Sequence, residues 1–293
     1  MSDIQAMLLD LEIQGLWSAQ QTDRTITAEV AQRHNLTGNP GKYVKDLFPV
    51  STCGRPNPHT QWATSCYEVR KFWKNHTTPW EDGRRIVAEH YVERCCEQFN
   101  AVIEQANAAF AKFLEWLPEG MAKANTSDGL NGLFNFGDYP TEHQLRQRFS
   151  ITYRILPLPS SDHLVARVVG GAVDSARQIL ALENEARIER ARQFIWMEVL
   201  EPVEHMADML ARPGEPKFWD SLVTNVKSVA ERIPAMDFDR NPQLAAARDR
   251  LLNLTNNLDA DQLRNDPLLR QQVGTSAAQI AATFGQFRRK LAV

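Results

Sequence analysis

Two long stripes of apolar residues at helical spacing, one stretch that alternates with period two, and proline-started segments near the end predict a mainly α protein. The expected architecture is a long antiparallel helical hairpin resembling a coiled coil, with a small β-hairpin or three-stranded sheet at one end and a C-terminal cluster of short helices. Residues 1–84 read as an N-terminal α(+β) region, 85–212 as the helical hairpin with a β-hairpin inserted at 148–169, and 213–293 as a C-terminal helical region.

Near the start, Leu11, Ile13, Gly15 and Trp17 alternate along the chain and suit a strand that joins the small sheet. The first long helix is expected over about 85–117. Val92, Cys95 or Cys96, Phe99, Ile103, Ala106, Phe110, Phe113 and Leu117 recur at steps of three and four, while Glu93, Glu97, Glu104 and Lys112 fall off the stripe. Leu117-Pro118-Glu119-Gly120 then reads as a stop, because Pro118 lacks an N–H and Gly120 frees the chain to turn.

Beyond a polar loop at 125–132 and a short helix near Pro140, Phe149, Ile151, Tyr153 and Ile155 alternate with Ser150, Thr152 and Arg154, the pattern of a half-buried strand. Pro157-Leu158-Pro159-Ser160-Ser161-Asp162 reads as the turn, and Leu164–Val169 as the second strand, closed by Gly170-Gly171. The second long helix runs from about Val173 to Leu210. Its stripe holds Leu180, Ile188, Ala191, Ile195, Val199, Val203 and Met206, and its wet side mixes Glu183, Glu185, Arg187, Glu189, Arg190 and Arg192. Pro202 predicts a kink or a break. Further on, Phe218, Leu222, Val226, Val229 and Ile233 form one more stripe, and Asn241-Pro242 and Asp266-Pro267 each put a capping residue before a helix-starting proline.

Composition narrows the functional classes. The 36 acidic and 33 basic residues leave a net charge of −3, which argues against a polyanion-coated surface. The charge is segregated, however. Residues 198–238 hold 8 acidic against 4 basic side chains, and 239–293 hold 8 basic against 5 acidic. Without a basic leader or an apolar run of membrane-spanning length, a cytoplasmic location with no membrane contact is expected. Four cysteines, two of them adjacent at Cys95 and Cys96, suit free thiols rather than a disulfide framework.

Three constellations carry candidate chemistry. Cys53, His59, Cys66 and His76 are zinc-ligand types, but no two lie within the two-to-four-residue spacing of structural zinc sites. The alternative is that Cys66 belongs to a buried face, Trp62, Cys66, Val69 and Trp73, and no metal or other cofactor is expected. Second, Arg70, Lys71, Lys74, Trp80, Arg84 and Arg85 interleave cations with aromatic rings, as single-stranded nucleic-acid binding requires. Third, Arg148, Arg154 and Arg167 share a face of the expected hairpin with Ser150 and Thr152. Solvated charges over a core, or charges that blunt a strand edge, explain the same residues without a ligand. Neither a P-loop, a dinucleotide fingerprint, a zinc-protease motif nor a nucleophile elbow occurs, so no enzyme is expected.

Leu11-Glu12-Ile13-Gln14-Gly15-Leu16-Trp17, Thr78-Pro79-Trp80-Glu81-Asp82-Gly83-Arg84-Arg85, Phe136-Gly137-Asp138-Tyr139-Pro140, Leu145-Arg146-Gln147-Arg148-Phe149 and Phe218-Trp219-Asp220-Ser221-Leu222 follow one another in an order that resembles an uncharacterised protein family of tailed phages and prophages. Such proteins are often encoded near replication and recombination genes. The resemblance covers the chain from about residue 10, implies DNA work in the host cytoplasm and assigns no residue a role. The expected function is therefore a phage accessory protein of DNA replication or recombination that binds single-stranded DNA without catalysis. The alternative is an assembly module that binds a phage or host protein and forms a homo-oligomer through its helical rod.

Overall fold

The computed structural model describes residues 4–34, 43–158, 171–212 and 219–290. In chain order these form β1 (Ala6–Gln14), β2 (Gln20–Thr22), α1 (Arg24–Arg33), β3 (Val44–Asp46), α2 (Val50–Cys53), α3 (Pro58–His76), β4 (Thr78–Pro79), β5 (Arg85–Ala88), α4 (Val92–Ala124), α5 (Glu142–Arg148), β6 (Ser150–Pro157), α6 (Gly171–Ala211), α7 (Ser221–Met236), α8 (Pro242–Thr255), α9 (Ala260–Asn265) and α10 (Pro267–Lys290). Helix dominates, as the apolar periodicity predicts. Strands add a four-stranded sheet in the order β4-β5-β1-β6 and a separate β2–β3 pair.

Two compact units emerge, each assembled from separated stretches of the chain. Unit one comprises Met1–Leu11, Trp73–Glu97 and Tyr153–Val293; unit two comprises Glu12–Phe72 and Gln98–Thr152.

Unit one is a helical core with the sheet at its edge. The stripe of α6 (Ala191, Ile195, Val199, Val203, Met206, Leu210) is buried with Leu222, Val226, Val229 and Ile233 of α7, Leu244 and Leu251 of α8, and Val273, Ala277, Ile280 and Phe284 of α10. Trp196 stacks on Phe284 and Phe287 at 5.9 and 5.3 Å. Gly274 lets α10 approach α6, since a Cβ there would lie 3.1 Å from that of Leu210. The predicted caps are present: Asn241 accepts the Gln243 N–H ahead of α8, and Asp266 accepts the N–H groups of Leu268 and Leu269 in α10. Strands β1 and β5 run antiparallel, pairing Ala6 with Ala88 and Leu8 with Ile86, and these four residues join the same core.

Unit two is built on aromatic rings. Trp62 of α3 stacks on Phe113 of α4 at 5.1 Å with an 8° interplanar angle, and Phe48, Phe110, Phe149, Tyr139, Trp17 and His59 close around them. The Tyr139 hydroxyl donates to the Leu47 carbonyl at 2.7 Å. The Lys45 ammonium, with only 7% of its side chain exposed, donates to Asp138 at 2.6 Å and to the Leu133 carbonyl at 3.1 Å, with Asp23 at 3.7 Å. Gly15 has φ +68°, and a Cβ on it would meet the Arg148 carbonyl oxygen at 2.3 Å, so only glycine fits.

Several sequence expectations need correction. Residues 85–88 are not helical. Ile86, Val87 and Ala88 are buried on β5, an apolar run too short to display its period. Pro118 does not end α4, which continues to Ala124. Trp116 covers Gly120, whose Cβ would fall 2.6 Å from the ring, and Leu117 and Ala124 are buried on either side of the proline. This packing offsets the missing hydrogen bond. Likewise α6 runs through Pro202 unbroken, and α10, at 24 residues, is not a short helix. Within its own unit each long stripe finds cover, that of α6 under α7 and α10 and that of α4 under aromatic rings. Strand β6 neighbours β1, which makes the N-terminal strand part of the sheet; the expected second hairpin strand at 164–169 lies outside the described residues.

Candidate nucleic-acid interface

The candidate site begins with the two sides of α3. Trp62, Cys66 and Val69 are fully buried, as the apolar stripe predicts. At 100° per residue Tyr67, Lys71 and Lys74 turn away from this stripe, and Arg70 lies at its flank. Tyr67 is 61% exposed, Lys71 and Lys74 are exposed, and Arg70 is half-buried. Lys71 sits 3.2 Å from Glu68 one turn away, an ion pair between half-exposed groups that contributes at most about 1 kcal/mol. Tyr67, Arg70 and Lys71 belong to unit two, and Lys74 continues the same helix into the stretch that unit one includes.

Arg85 is not part of an open cationic surface. Its Nε donates to the Thr77 hydroxyl at 2.7 Å and its Nη2 to the Lys74 and Thr77 carbonyls. The guanidinium lies 5.5 Å from the Trp73 ring and 5.9 Å from that of Phe194. Arg232 of α7 approaches the same helix end, donating to the Asn75 carbonyl at 3.3 Å. Together the two guanidinium groups satisfy carbonyls at the C-terminus of α3, where the helix dipole favours positive charge. Burial lowers the pKa of both, that of Arg85 to about 10, against the attraction of Glu198. Arg85 therefore stays charged at neutral pH and is occupied by structure. Trp80 is likewise half-buried and packed against the unit-one core, so its ring is not an open stacking platform.

The remaining cations scatter. Arg84 is exposed on the turn between β4 and β5, where its carbonyl accepts the Trp80 N–H at 3.0 Å. Arg148 is exposed but ends α5, outside the strand on which a shared hairpin face was expected. Arg154 lies on β6 and pairs with Asp10 at 3.1 Å. Arg167 lies outside the described residues. Thus Lys74, Trp80, Arg84 and Arg85 belong to unit one, with Arg154, and Arg70 and Lys71 to unit two, with Arg148.

The cysteine and histidine set disperses too. His59 Nε2 is 3.2 Å from the Trp17 carbonyl inside the aromatic core, and burial lowers its pKa. Burial pushes the Cys66 thiol up to about 11, which disfavours the thiolate that a metal requires. The Cys53 Sγ instead contacts the Gly120 carbonyl at 3.7 Å. Among the described residues no group of three or more His, Cys, Asp or Glu side chains is placed to hold a metal ion, and no helix is long and apolar enough to cross a membrane.

Sequence reasoning did not single out the Lys45 cluster, which lines a polar cleft of about 560 Å³ with Asp23, Asn135 and Asp138. Lys45 and Asp138 stand 93 positions apart, so no local spacing announces the pair. No protein-family model, curated protein or solved structure matches the chain.

Proposed function

We propose that this chain is a phage accessory protein of DNA replication or recombination that binds single-stranded DNA along the open side of α3, without catalysis. The observation that carries the reading is the row Tyr67, Lys71 and Lys74, with Arg70 at its flank, turned away from the buried row Trp62, Cys66 and Val69. An exposed ring stacks on an unpaired base of any identity, and cations one turn apart track successive phosphates. Of the cations named from sequence, Arg70, Lys71 and Lys74, all on α3, carry the site. Arg85 and Trp80 support the fold instead.

Fluorescence anisotropy with a labelled oligothymidine at 50 and 200 mM salt tests this. Three neutralised phosphates on a single strand predict a loss of about 20-fold in affinity over that range. Lys71→Glu with Lys74→Glu abolishes most binding, and Tyr67→Ala weakens it by about 1 to 3 kcal/mol. Absence of binding at 50 mM salt, or binding indifferent to the double charge reversal, refutes the proposal.

A further inference from the structure

Unit two holds a buried cation whose donors are not all spent. Lys45, with 7% of its side chain exposed, lines the polar cleft of about 560 Å³. An ammonium carries three N–H groups. One goes to Asp138 Oδ2 at 2.6 Å and one to the Leu133 carbonyl at 3.1 Å, while Asp23 Oδ2, at 3.7 Å, is too far for a hydrogen bond. The third N–H is left for whatever occupies the cleft, and a donor buried to this degree is ordinarily matched.

The same lining offers uncommitted groups of both kinds. Asn135 turns its Oδ1 to the Gly137 N–H at 2.9 Å, which leaves its Nδ2 as a donor. Gln21 gives its Nε2 to the Asp138 carbonyl at 3.0 Å, which leaves its Oε1 as an acceptor. Asp138 Oδ1 and the exposed side chains of Arg24 and Glu29 have no partner among the described residues. The half-buried ring of Phe134 adds an apolar wall.

Charge sets the class of ligand. Asp23, Glu29 and Asp138 outnumber Arg24 and Lys45, and Lys45 is already balanced by Asp138, so a phosphate or carboxylate would face like charge. A cationic head cannot accept the ammonium N–H. What suits both Lys45 and Asp138 is a neutral oxygen that accepts from one and donates to the other, which is a hydroxyl group. We propose that this cleft binds a neutral sugar. One hydroxyl bridges Lys45 and Asp138, a neighbouring one bonds Asn135 and Gln21, and the ring's C–H face lies against Phe134. The volume falls within the roughly 300–1,000 Å³ of small-ligand sites and far exceeds the ~30 Å³ of one water. The inference rests on this cleft and not on the open side of α3, so either it or the DNA reading can fail without the other.

The sugar can be a free saccharide or the ribose of a nucleoside, and the probes separate the two. Saturation-transfer NMR on the full chain uses the methyl glycosides of glucose, galactose, mannose and N-acetylglucosamine, maltotriose, and adenosine beside 2′-deoxyadenosine. For ligands this small and polar, low-millimolar dissociation constants are expected. A bound glycoside assigns the cleft to saccharides; adenosine bound more tightly than its deoxy counterpart, with no glycoside bound, assigns it to ribose. The phosphorylated form of the best-bound sugar binds more weakly than the neutral one. Asn135→Asp, which keeps the acceptor for Gly137 and removes the donor, weakens binding about fivefold. Lys45→Met abolishes it, with circular dichroism verifying the fold; because Asn135 is exposed, its variant decides the matter should Lys45→Met fail to fold. No saturation transfer to any probe, tighter binding of the phosphorylated sugar, or binding indifferent to Asn135→Asp overturns the proposal.

Discussion

The cores of the two units are made of different material. Unit one buries aliphatic side chains along helix faces, with Ile195, Val199 and Val203 of α6 against Val226, Val229 and Ile233 of α7. Unit two has short strands and loops, and gains its cohesion from flat rings and a few enclosed polar groups: Trp62 on Phe113, His59 among Trp17, Phe48 and Phe113, and Lys45 held by Asp138. A helical core spreads its stabilisation over many similar contacts. An aromatic core concentrates it in a few side chains, each of which buries 150 to 250 Å² or more.

That difference is sharpest under truncation. Trp62→Ala removes the largest fully buried side chain of unit two together with its stacking partners, and about 3 to 5 kcal/mol of stability is expected to go with it. Ile195→Val in unit one deletes one methylene and costs about 1 kcal/mol. Urea denaturation of the two variants measures both values. Equal losses would erase the distinction between a concentrated and a distributed core.

Next in size is the enclosed charge. Lys45→Met leaves Asp138 and Asp23 facing each other without their shared cation, and the expected loss is about 3 kcal/mol. Lys45→Met/Asp138→Leu, which removes both partners, recovers most of it, because a paired charge costs less to delete whole than to halve. A double variant no better than the single one would show that Lys45 acts through packing rather than through its charge.

The same contrast explains what the sequence disclosed. Helical stripes repeat over many turns, so α6, α7 and most of α4 are legible from period alone, as is the alternation that makes β6. Partners are another matter. Nothing in the stripes of α4 and α6 distinguishes a cover of Phe113 and Trp62 from a second helix, and β5 has too few residues to separate strand from helix. The basic row of α3 is legible because Lys71 and Lys74 stand one turn apart on the side away from Trp62, with Arg70 at its flank. Arg85 was misread for a physical reason: its charge is the same in a solvent-facing arginine and in one that satisfies the carbonyls of Lys74 and Thr77. Only the fold separates them.

The smallest expected effect lies in pH, where the units respond in opposite senses. Burial holds His59 below its ordinary value of 6.5, with the Trp17 carbonyl opposing the shift. In the unfolded chain the imidazole protonates near 6.5, whereas in unit two it resists, so acidification favours unfolding. The contribution of His59 is complete above that value and is lost as pH falls through 6.5 toward the lower folded pKa. Asp237 of unit one works the other way. Burial raises its carboxyl above 3.8, against the Asn241 N–H, so its contribution is present below 3.8 and lost as pH rises through the folded value. Just below pH 6.5 the histidine therefore acts before ordinary carboxylates titrate. Stability measured by urea denaturation from pH 7.5 to 5.5 is expected to fall, and His59→Gln, which keeps a donor for the Trp17 carbonyl but cannot take a proton, flattens the slope. A parent chain whose stability is level across that range would mean that the ring cage accommodates the imidazolium, through its π faces, as well as water does.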